Sequence, residues 1–180
     1  MILVLVAAVV AAGVALLRGG SLSALAATHF RWTWILFVAL IAQIAADFWA
    51  SEIPRAVGVA VLVLSYAAVA GFMIVNRSLS GMVFAAAGLA LNALVIASNG
   101  AMPVSRWAAR IAGVGFPADM RVKHEVAGPD TVLPFLGDVI PIPELQVISI
   151  GDLVLALGIA ILVYRQTLAA PEEVAKTASG

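Results

Sequence analysis

The sequence predicts an all-α integral membrane protein with about five transmembrane helices, a short interfacial helix and an ordered outer loop. The chain has 180 residues, of which 63% are hydrophobic and 11% are charged, whereas soluble domains carry roughly 25% charged residues. Five apolar runs approach the about 20 residues that a helix needs to cross a bilayer. Since a surface this poor in charge is incompatible with water, we expect lipid to surround the chain.

Several classes of chemistry are excluded by composition. The chain has no cysteine, which excludes disulfides, thiolate metal sites and thiol catalysis. Ten basic and ten acidic residues cancel, and no basic cluster indicates nucleic acid. The two histidines, His29 and His124, lack the spacing of metal ligands. We therefore expect no metal, cofactor or nucleic acid, and we expect membrane lipid, other membrane subunits or self-association as partners.

The apolar runs divide the chain into one bundle, residues 1–165, and a polar tail, residues 166–180. The predicted helices cover about residues 2–17, 32–50, 56–75, 82–98 and 148–164, and the outer loop covers residues 99–147. The first run has the length of a signal peptide, but no positive residue precedes it. We therefore expect it to be a retained helix.

The second and third runs carry signals of helix ends in a membrane. Trp32, Trp34, Phe48 and Trp49 lie near the two ends of the second run, as in an aromatic belt at headgroup level. Pro54 fits the first turn of the third helix.

Arginines in the short connections predict the orientation. The first connection contains Arg18 and Arg31, the third contains Arg77, and neither contains an acid. Because basic loops stay in the cytoplasm, we expect the amino terminus outside and the carboxyl terminus inside.

The outer loop contains signals of local order. Asn99 and Gly100 fit a helix stop. Within residues 104–114, Trp107, Ile111 and Val114 recur at helical spacing while arginines occupy another side, which predicts an amphipathic helix in the interface. The Pro-Ile-Pro segment at 141–143 favours an extended backbone.

Polar side chains at membrane depth are costly and are therefore candidate functional residues. The candidate catalytic residues are Asp152, Asp138 and Asp47, and the candidate binding residues are Asn92 and Asn99. Asn92 and Asn99 lie seven residues apart, so they share a helix face. In the predicted topology Asp47, Asn99 and Asp152 all lie near the outer surface, where they can converge.

Each candidate also has a purely structural interpretation. The Ser149–Asp152 segment has the spacing of a capping box. Asn99 fits a helix cap, and Asn92 fits a hydrogen bond between helices. Asp47 fits the interface, and Asp138 fits a loop in which it accepts backbone hydrogen bonds.

Three motifs carry a resemblance to a known family. They are Asn99–Ser105 (NGAMPVS), Phe135–Pro143 (FLGDVIPIP) and Ser149–Asp152 (SIGD). In this order they resemble the bacterial membrane-protein family catalogued as domain of unknown function 5317. The resemblance covers nearly the whole chain. It implies a small multi-pass protein of the bacterial plasma membrane and brings no activity.

A partial likeness points to lipoprotein signal peptidases, which are membrane aspartyl peptidases with four helices. The Ser149–Val154 segment is similar to the entry of their last helix, and Leu136–Ile140 is similar to the preceding loop. Where that family has Asn-x-x-Asp-Arg, this chain has Asn99–Pro103 (NGAMP), so one acid of the dyad is missing. A shared proton between two carboxylates activates the water, and Asp138 or Asp47 would have to supply the partner of Asp152.

Two functions of different class follow from the sequence. The first is a non-catalytic membrane scaffold or accessory subunit, favoured by Ala42, Ala46 and Ala50 at four-residue spacing. The second is an intramembrane hydrolase or lipid-binding protein with an Asp/Asn site at the outer leaflet. Whether the chain is an enzyme stays open at this point.

Overall fold

The computed structural model describes residues 2–49, 52–115 and 124–169, apart from the side chain of Asp47. Its α-helices are α1 (Ile2–Leu17), α2 (Leu22–Ala26), α3 (Trp34–Phe48), α4 (Arg55–Val75), α5 (Met82–Asn99), α6 (Arg106–Ala112) and α7 (Ile150–Leu168). The predicted helical architecture agrees with this mostly helical fold.

Three of the described helices are long and apolar enough to cross a membrane, namely α4, α5 and α7. The helices α1 and α3 are apolar but shorter. Large apolar side chains on these helices face outward, among them Leu5, Phe37 and Leu64 at 66%, 63% and 68% exposure. Outward-facing apolar surface on this scale is compatible with association with a membrane.

The helices follow one another in an extended row. The extensive backbone contacts between long helices join α3 to α4, α4 to α5, α5 to α7 and α7 to α1. The two edge helices, α1 and α3, therefore each have one extensive helical neighbour. The largest apolar core lies between α4, α5 and α7 and contains Phe72, Met82, Leu89 and Leu162.

Glycines allow α5 and α7 to approach closely. A β-carbon at Gly158 would overlap the backbone of Ala85, and one at Gly88 would overlap the backbone of Leu155. Small residues at helix contacts are the usual means by which membrane helices pack. The α5–α7 pair is therefore a closely packed contact of the row.

The outer loop contains four short strands that the sequence did not predict. Strand β1 (Met102–Val104) pairs in parallel with β2 (His124–Val126), and β3 (Ile140–Ile142) forms an antiparallel hairpin with β4 (Gln146–Ile148). The extended backbone predicted around Pro141 is present in β3. A strand of three residues is too short to show the alternation of apolar and polar residues that predicts a strand. In the β1–β2 pair, moreover, the two strands lie far apart in the sequence.

Several helix ends differ from the predicted ones. Helix α7 begins at Ile150 because Ile148 belongs to β4, and it continues to Leu168 rather than residue 164. Helix α6 ends at Ala112 because Gly113 adopts a left-handed conformation with φ 66°. Val114 therefore lies beyond α6, whereas the periodicity had included it.

The short helix α2 and the end of α7 form the corner opposite the outer loop. The Ser21 hydroxyl caps α2 by accepting from the Ala24 N–H, and the Ser21 N–H donates to the Thr167 carbonyl at 2.8 Å. The hydroxyl of the fully buried Thr167 donates to the Val163 carbonyl. These contacts extend α7 into the predicted tail, of which residues 170–180 lie outside the described residues.

Candidate functional site

Two of the candidate residues meet at the loop end of the α5–α7 pair. Asn92 on α5 donates from Nδ2 to Oδ1 of Asp152 on α7 at 2.8 Å. Its amide oxygen accepts from the Ser149 hydroxyl at 2.9 Å. Asn92 is 4% exposed and Ser149 is fully buried. The three side chains form one polar cluster between the two helices.

The same serine and aspartate close the start of α7. The Ser149 hydroxyl accepts from the Asp152 N–H at 2.9 Å, and Oδ2 of Asp152 accepts from the Ser149 N–H at 3.2 Å. This reciprocal pair is the capping box that the spacing predicted. The Asp152 carboxylate also lies in the first turn of α7, where the helix dipole stabilises a negative charge.

The polar atoms of the cluster form hydrogen bonds with one another. Each oxygen of Asp152 accepts a hydrogen bond, and the Asn92 amide uses both its oxygen and its nitrogen. Two hydrogen bonds, one on each oxygen, hold the Asp152 carboxylate in one orientation. The arrangement is well suited to fixing α5 against α7.

Asp138 lies in the outer loop, close to this cluster but not bonded to it. Its N–H donates to the Pro103 carbonyl at 2.8 Å, and its carbonyl accepts from the Ser105 N–H at 2.9 Å. These bonds pair Asp138 in parallel with Val104 of β1, and the residue is 6% exposed. Its Oδ2 lies 3.6 Å from Nε2 of His124.

The surroundings of Asp138 favour its neutral form. Burial raises the pKa of this carboxyl from its ordinary value of 3.8 to about 7, and the Asp152 carboxylate contributes in the same direction. Removing a carboxylate from water and placing a second negative charge nearby both penalise ionisation. Asp138 is therefore the described carboxyl with the chemistry of an acid–base group near neutral pH.

Asn99 fastens a remote loop segment rather than joining the cluster. Its Nδ2 donates to the Val132 carbonyl at 2.9 Å, and its Oδ1 accepts from the Val132 N–H at 2.7 Å. The helix stop itself is made by Gly100, which has φ 81°. Asn92 and Asn99 were predicted to share one helix face, but their side chains bind two separate parts of the chain, at Asp152 and at Val132.

Asp47 lies on α3, whose extensive helical neighbour is α4. Its side chain is outside the described residues, so its role as an acid stays a prediction. Of the other four candidates, Asn92 and Asp152 meet, Asp138 lies near them, and Asn99 is directed elsewhere.

A shallow cleft of about 380 Å³ opens at the loop end of α5. Its walls include Asn99, Glu125, Asp130 and Thr131. Glu125 forms an ion pair with Arg55 at the start of α4, and the Thr131 hydroxyl accepts from the Gly128 N–H at 2.8 Å. The cleft is polar, and the contacts of Glu125 and Thr131 hold the loop in place.

A second asparagine, which the sequence analysis did not single out, holds a remote backbone segment as Asn99 does. Asn76 caps α4 and is 3% exposed. Its Oδ1 accepts from the Arg31 N–H at 2.8 Å, and its Nδ2 donates to the Arg31 carbonyl at 3.0 Å. Asn76 at the end of α4 and Asn99 at the end of α5 thus each bind a remote backbone residue in the same manner. Only their place at the end of an apolar run marks them in the sequence.

Comparison with known protein families places the chain in a described family. The model of a family of unknown function (DUF5317) matches residues 27–164, a range that contains every candidate residue discussed above. No curated protein and no solved structure matches the chain significantly.

Proposed function

We propose that the chain, which belongs to the family of unknown function DUF5317, is a non-catalytic scaffold or accessory subunit of a membrane complex. The observation that carries the proposal is the closed set of hydrogen bonds among Asn92, Ser149 and Asp152. The most prominent polar cluster between the helices acts on the chain itself. A network of hydrogen bonds between helices makes their packing rigid and specific, as a subunit with a structural role requires.

The row of helices supports the same proposal. Helices α1 and α3 have one extensive helical neighbour each, and the outward residues of α1 are large and apolar, with Val9 at 63% exposure. An edge helix of this kind offers a continuous surface to a neighbouring membrane protein.

The alanines of α3 support it less directly than the sequence suggested. Ala39 and Ala46 are 3% and 8% exposed. They lie seven residues apart on α3 and so share a helix face, and α3 has its extensive contacts with α4. The close approach allowed by Ala46 is therefore made within the chain, and Ala50 lies outside the described residues. The helix α1 thus becomes the better candidate for contact with a partner.

The orientation of the chain in the membrane is part of the same proposal. Arg18 donates to the Tyr164 hydroxyl near the end of α7, and Arg31 is held by Asn76 at the end of α4. Arg77 follows Asn76 directly, so these three arginines lie at the end opposite the outer loop. The rule that basic loops are cytoplasmic supports an amino terminus outside and a carboxyl terminus inside in the bacterial plasma membrane.

Single cysteines test the scaffold proposal, because the chain has no cysteine of its own. Val9→Cys on α1 and Leu64→Cys on α4 introduce equally exposed thiols, since the native residues are 63% and 68% exposed. Crosslinking in native membranes is expected to join the α1 position to a second protein or a second copy. The α4 position serves as the matched control.

The outcome discriminates clearly. A specific crosslinked product from Val9→Cys that is absent from Leu64→Cys supports an edge contact. If both variants stay uncrosslinked, and the chain purified in mild detergent is monomeric by light scattering, the scaffold proposal is wrong.

A second candidate function is favoured by Asp138. A buried carboxyl with a pKa of about 7 beside His124, near a second carboxylate, has the properties of a general acid or base. This observation supports the intramembrane hydrolase or lipid-binding alternative, with Asp138 as the partner of Asp152.

The hydrolase alternative is tested on a lipid-modified peptide, the substrate class that the partial likeness to lipoprotein signal peptidases implies. The full chain in vesicles would cleave the peptide bond with water, and mass spectrometry would record the two products. Asp138→Asn would abolish cleavage, whereas Asp130→Asn, at an exposed loop acid, would preserve it. Absence of cleavage by the unaltered chain would eliminate this peptidase alternative.

A further inference from the structure

The interfacial helix α6 exposes two arginines beside two apolar side chains. Arg106, Trp107, Arg110 and Ile111 are all exposed, and Trp107 and Ile111 reach 62% and 46% exposure. No ion pair joins either arginine to another residue among those described by the structure. This exposed set has no function in the site or in the proposal above.

The four residues occupy adjacent stripes on α6. At about 3.6 residues per turn, Arg110 lies about 40° around the helix from Arg106, and Trp107 and Ile111 follow at about 100° and 140°. The remaining arc carries Ala108, Ala109 and Ala112, which are at most 1% exposed. The helix therefore has a buried alanine side, a basic stripe and an apolar stripe.

The alanine side attaches α6 firmly to the rest of the molecule. It packs on the β3–β4 hairpin, and the Glu144 N–H in that hairpin donates to the Ala112 carbonyl at 2.8 Å. The Ser105 hydroxyl accepts from the Ala108 N–H at the other end of α6. The exposed stripes are therefore held in a fixed orientation relative to α5 and α7.

The depth of α6 follows from its neighbours. It begins seven residues after α5 ends at Asn99, and the hairpin on which it lies leads directly into α7. Since α5 and α7 are both long and apolar enough to cross a membrane, α6 lies close to the level at which they would leave the hydrocarbon.

We propose that α6 binds the phosphate groups of anionic phospholipids through Arg106 and Arg110, with Trp107 and Ile111 inserted among the adjacent acyl chains. The inference rests on the membrane setting proposed above and is independent of the scaffold role. Guanidinium groups bind phosphate in a bidentate manner, and tryptophan prefers the boundary between headgroups and acyl chains. A free phosphate ion would explain the arginines but not the apolar stripe beside them.

Lipid retention measured by native mass spectrometry tests the basic stripe. The full chain in detergent is titrated with phosphatidylglycerol or phosphatidylcholine, and the apparent Kd of each is compared. The unaltered chain is expected to prefer phosphatidylglycerol. Each of Arg106→Gln and Arg110→Gln is expected to weaken this binding about fivefold, the effect of one basic residue at an anionic membrane surface.

Arg77→Gln is the matched control, because it removes the same charge at the end opposite the outer loop. Arg106→Lys keeps the charge but loses the planar fork, so it is expected to fall between the unaltered chain and Arg106→Gln. Equal loss of phosphatidylglycerol from Arg77→Gln and Arg106→Gln would overturn the assignment. Displacement of the lipid by an equal concentration of inorganic phosphate would also overturn it, because it would identify a site for the free ion.

The fluorescence of Trp107 tests the apolar stripe independently. In a chain with Trp32, Trp34 and Trp49 replaced by phenylalanine, Trp107 is the only tryptophan left. In vesicles of equal parts phosphatidylcholine and phosphatidylglycerol, lipids brominated near the headgroup are expected to quench it more than lipids brominated near the chain end. Lack of quenching by either lipid would exclude insertion of α6. This measurement keeps both arginines, so its result does not depend on whether the arginine variants fold.

Discussion

The amide oxygen of Asn92 occupies the place where a β-carbon on Gly151 would lie. The contact joins the middle of α5 to the first turn of α7, and it exists only because residue 151 has no side chain. The hydrogen bonds from Asn92 to Asp152 and from Ser149 to Asn92 depend on this approach. Packing and polar contacts at this point are thus two aspects of one arrangement.

Gly151→Ala is expected to destabilise the fold. The new methyl group would overlap the Asn92 side chain and the Gly88 carbonyl, and overpacking of this kind costs about 1–3 kcal/mol. The free energy of unfolding in bicelles measures the effect. Gly71→Ala on α4 is the control, because a β-carbon there meets nothing within 4 Å. Equal stability of both variants would contradict the close α5–α7 contact.

Asn92→Ala and Ser149→Ala are expected to be non-additive. Each substitution alone removes the bond between the Ser149 hydroxyl and the Asn92 amide, and Asn92→Ala also leaves Oδ1 of Asp152 without its donor. We expect each single substitution to lower the free energy of unfolding by about 1–2 kcal/mol. We expect a coupling energy of at least about 0.5 kcal/mol in the double-mutant cycle. Strict additivity would show that the two residues act separately.

The contribution of Asp138 to the free energy of unfolding is expected to fall as the pH rises from about 4 to about 7. The pKa of this carboxyl is about 7 in the folded chain and 3.8 ordinarily, so over this range the folded state keeps a proton that the unfolded chain has lost. The slope is at most about 1.4 kcal/mol per pH unit, and it vanishes below and above these values.

Asp138→Asn should remove that part of the pH dependence and raise stability at neutral pH. Urea or SDS unfolding at a series of pH values measures it, with Asp130→Asn as the control. The titratable groups close to Asp138 include His124, Asp152 and Tyr66, and His124→Gln separates the contribution of the imidazole. An unchanged slope in Asp138→Asn would disprove the prediction.

Asn99→Ala should release the loop around Val132, since both backbone groups of Val132 are bonded to the Asn99 amide. Hydrogen exchange is expected to rise at the Val132 amide by about one order of magnitude, equivalent to roughly 1–1.5 kcal/mol. Asn76→Ala is the matched control at the opposite end and should raise exchange at Arg31 instead. Equal effects of both variants at both positions would point to general loosening.

Local sequence signals predicted the parts of the fold that depend on neighbouring residues. The apolar runs located the long helices, and the spacing of Ser149 and Asp152 predicted the capping box that starts α7. Trp107 and Ile111 marked α6 by their helical period. In each case the relevant interaction lies within one or two helical turns, which a single sequence displays directly.

The remainder depends on contacts between distant segments. Asn99 was predicted as a helix cap or ligand-binding residue, but its bonds lead to Val132, 33 residues away. The pairing of β1 with β2 and the contact of Asn76 with Arg31 are equally remote, and nothing in the local spacing encodes the partner. The meeting of Asn92 and Asp152 was anticipated only in part, through the assigned topology that places the end of α5 and the start of α7 on one side.

The long separation between α5 and α7 has a consequence for biosynthesis. Met82–Asn99 is synthesised about fifty residues before Ile150–Leu168, so α5 is complete before α7 has been made. Until the last helix arrives, Asn92 lacks Ser149 and Asp152 as bonding partners. A chain truncated before α7 would therefore leave the Asn92 amide without these partners, and only completion of translation supplies them.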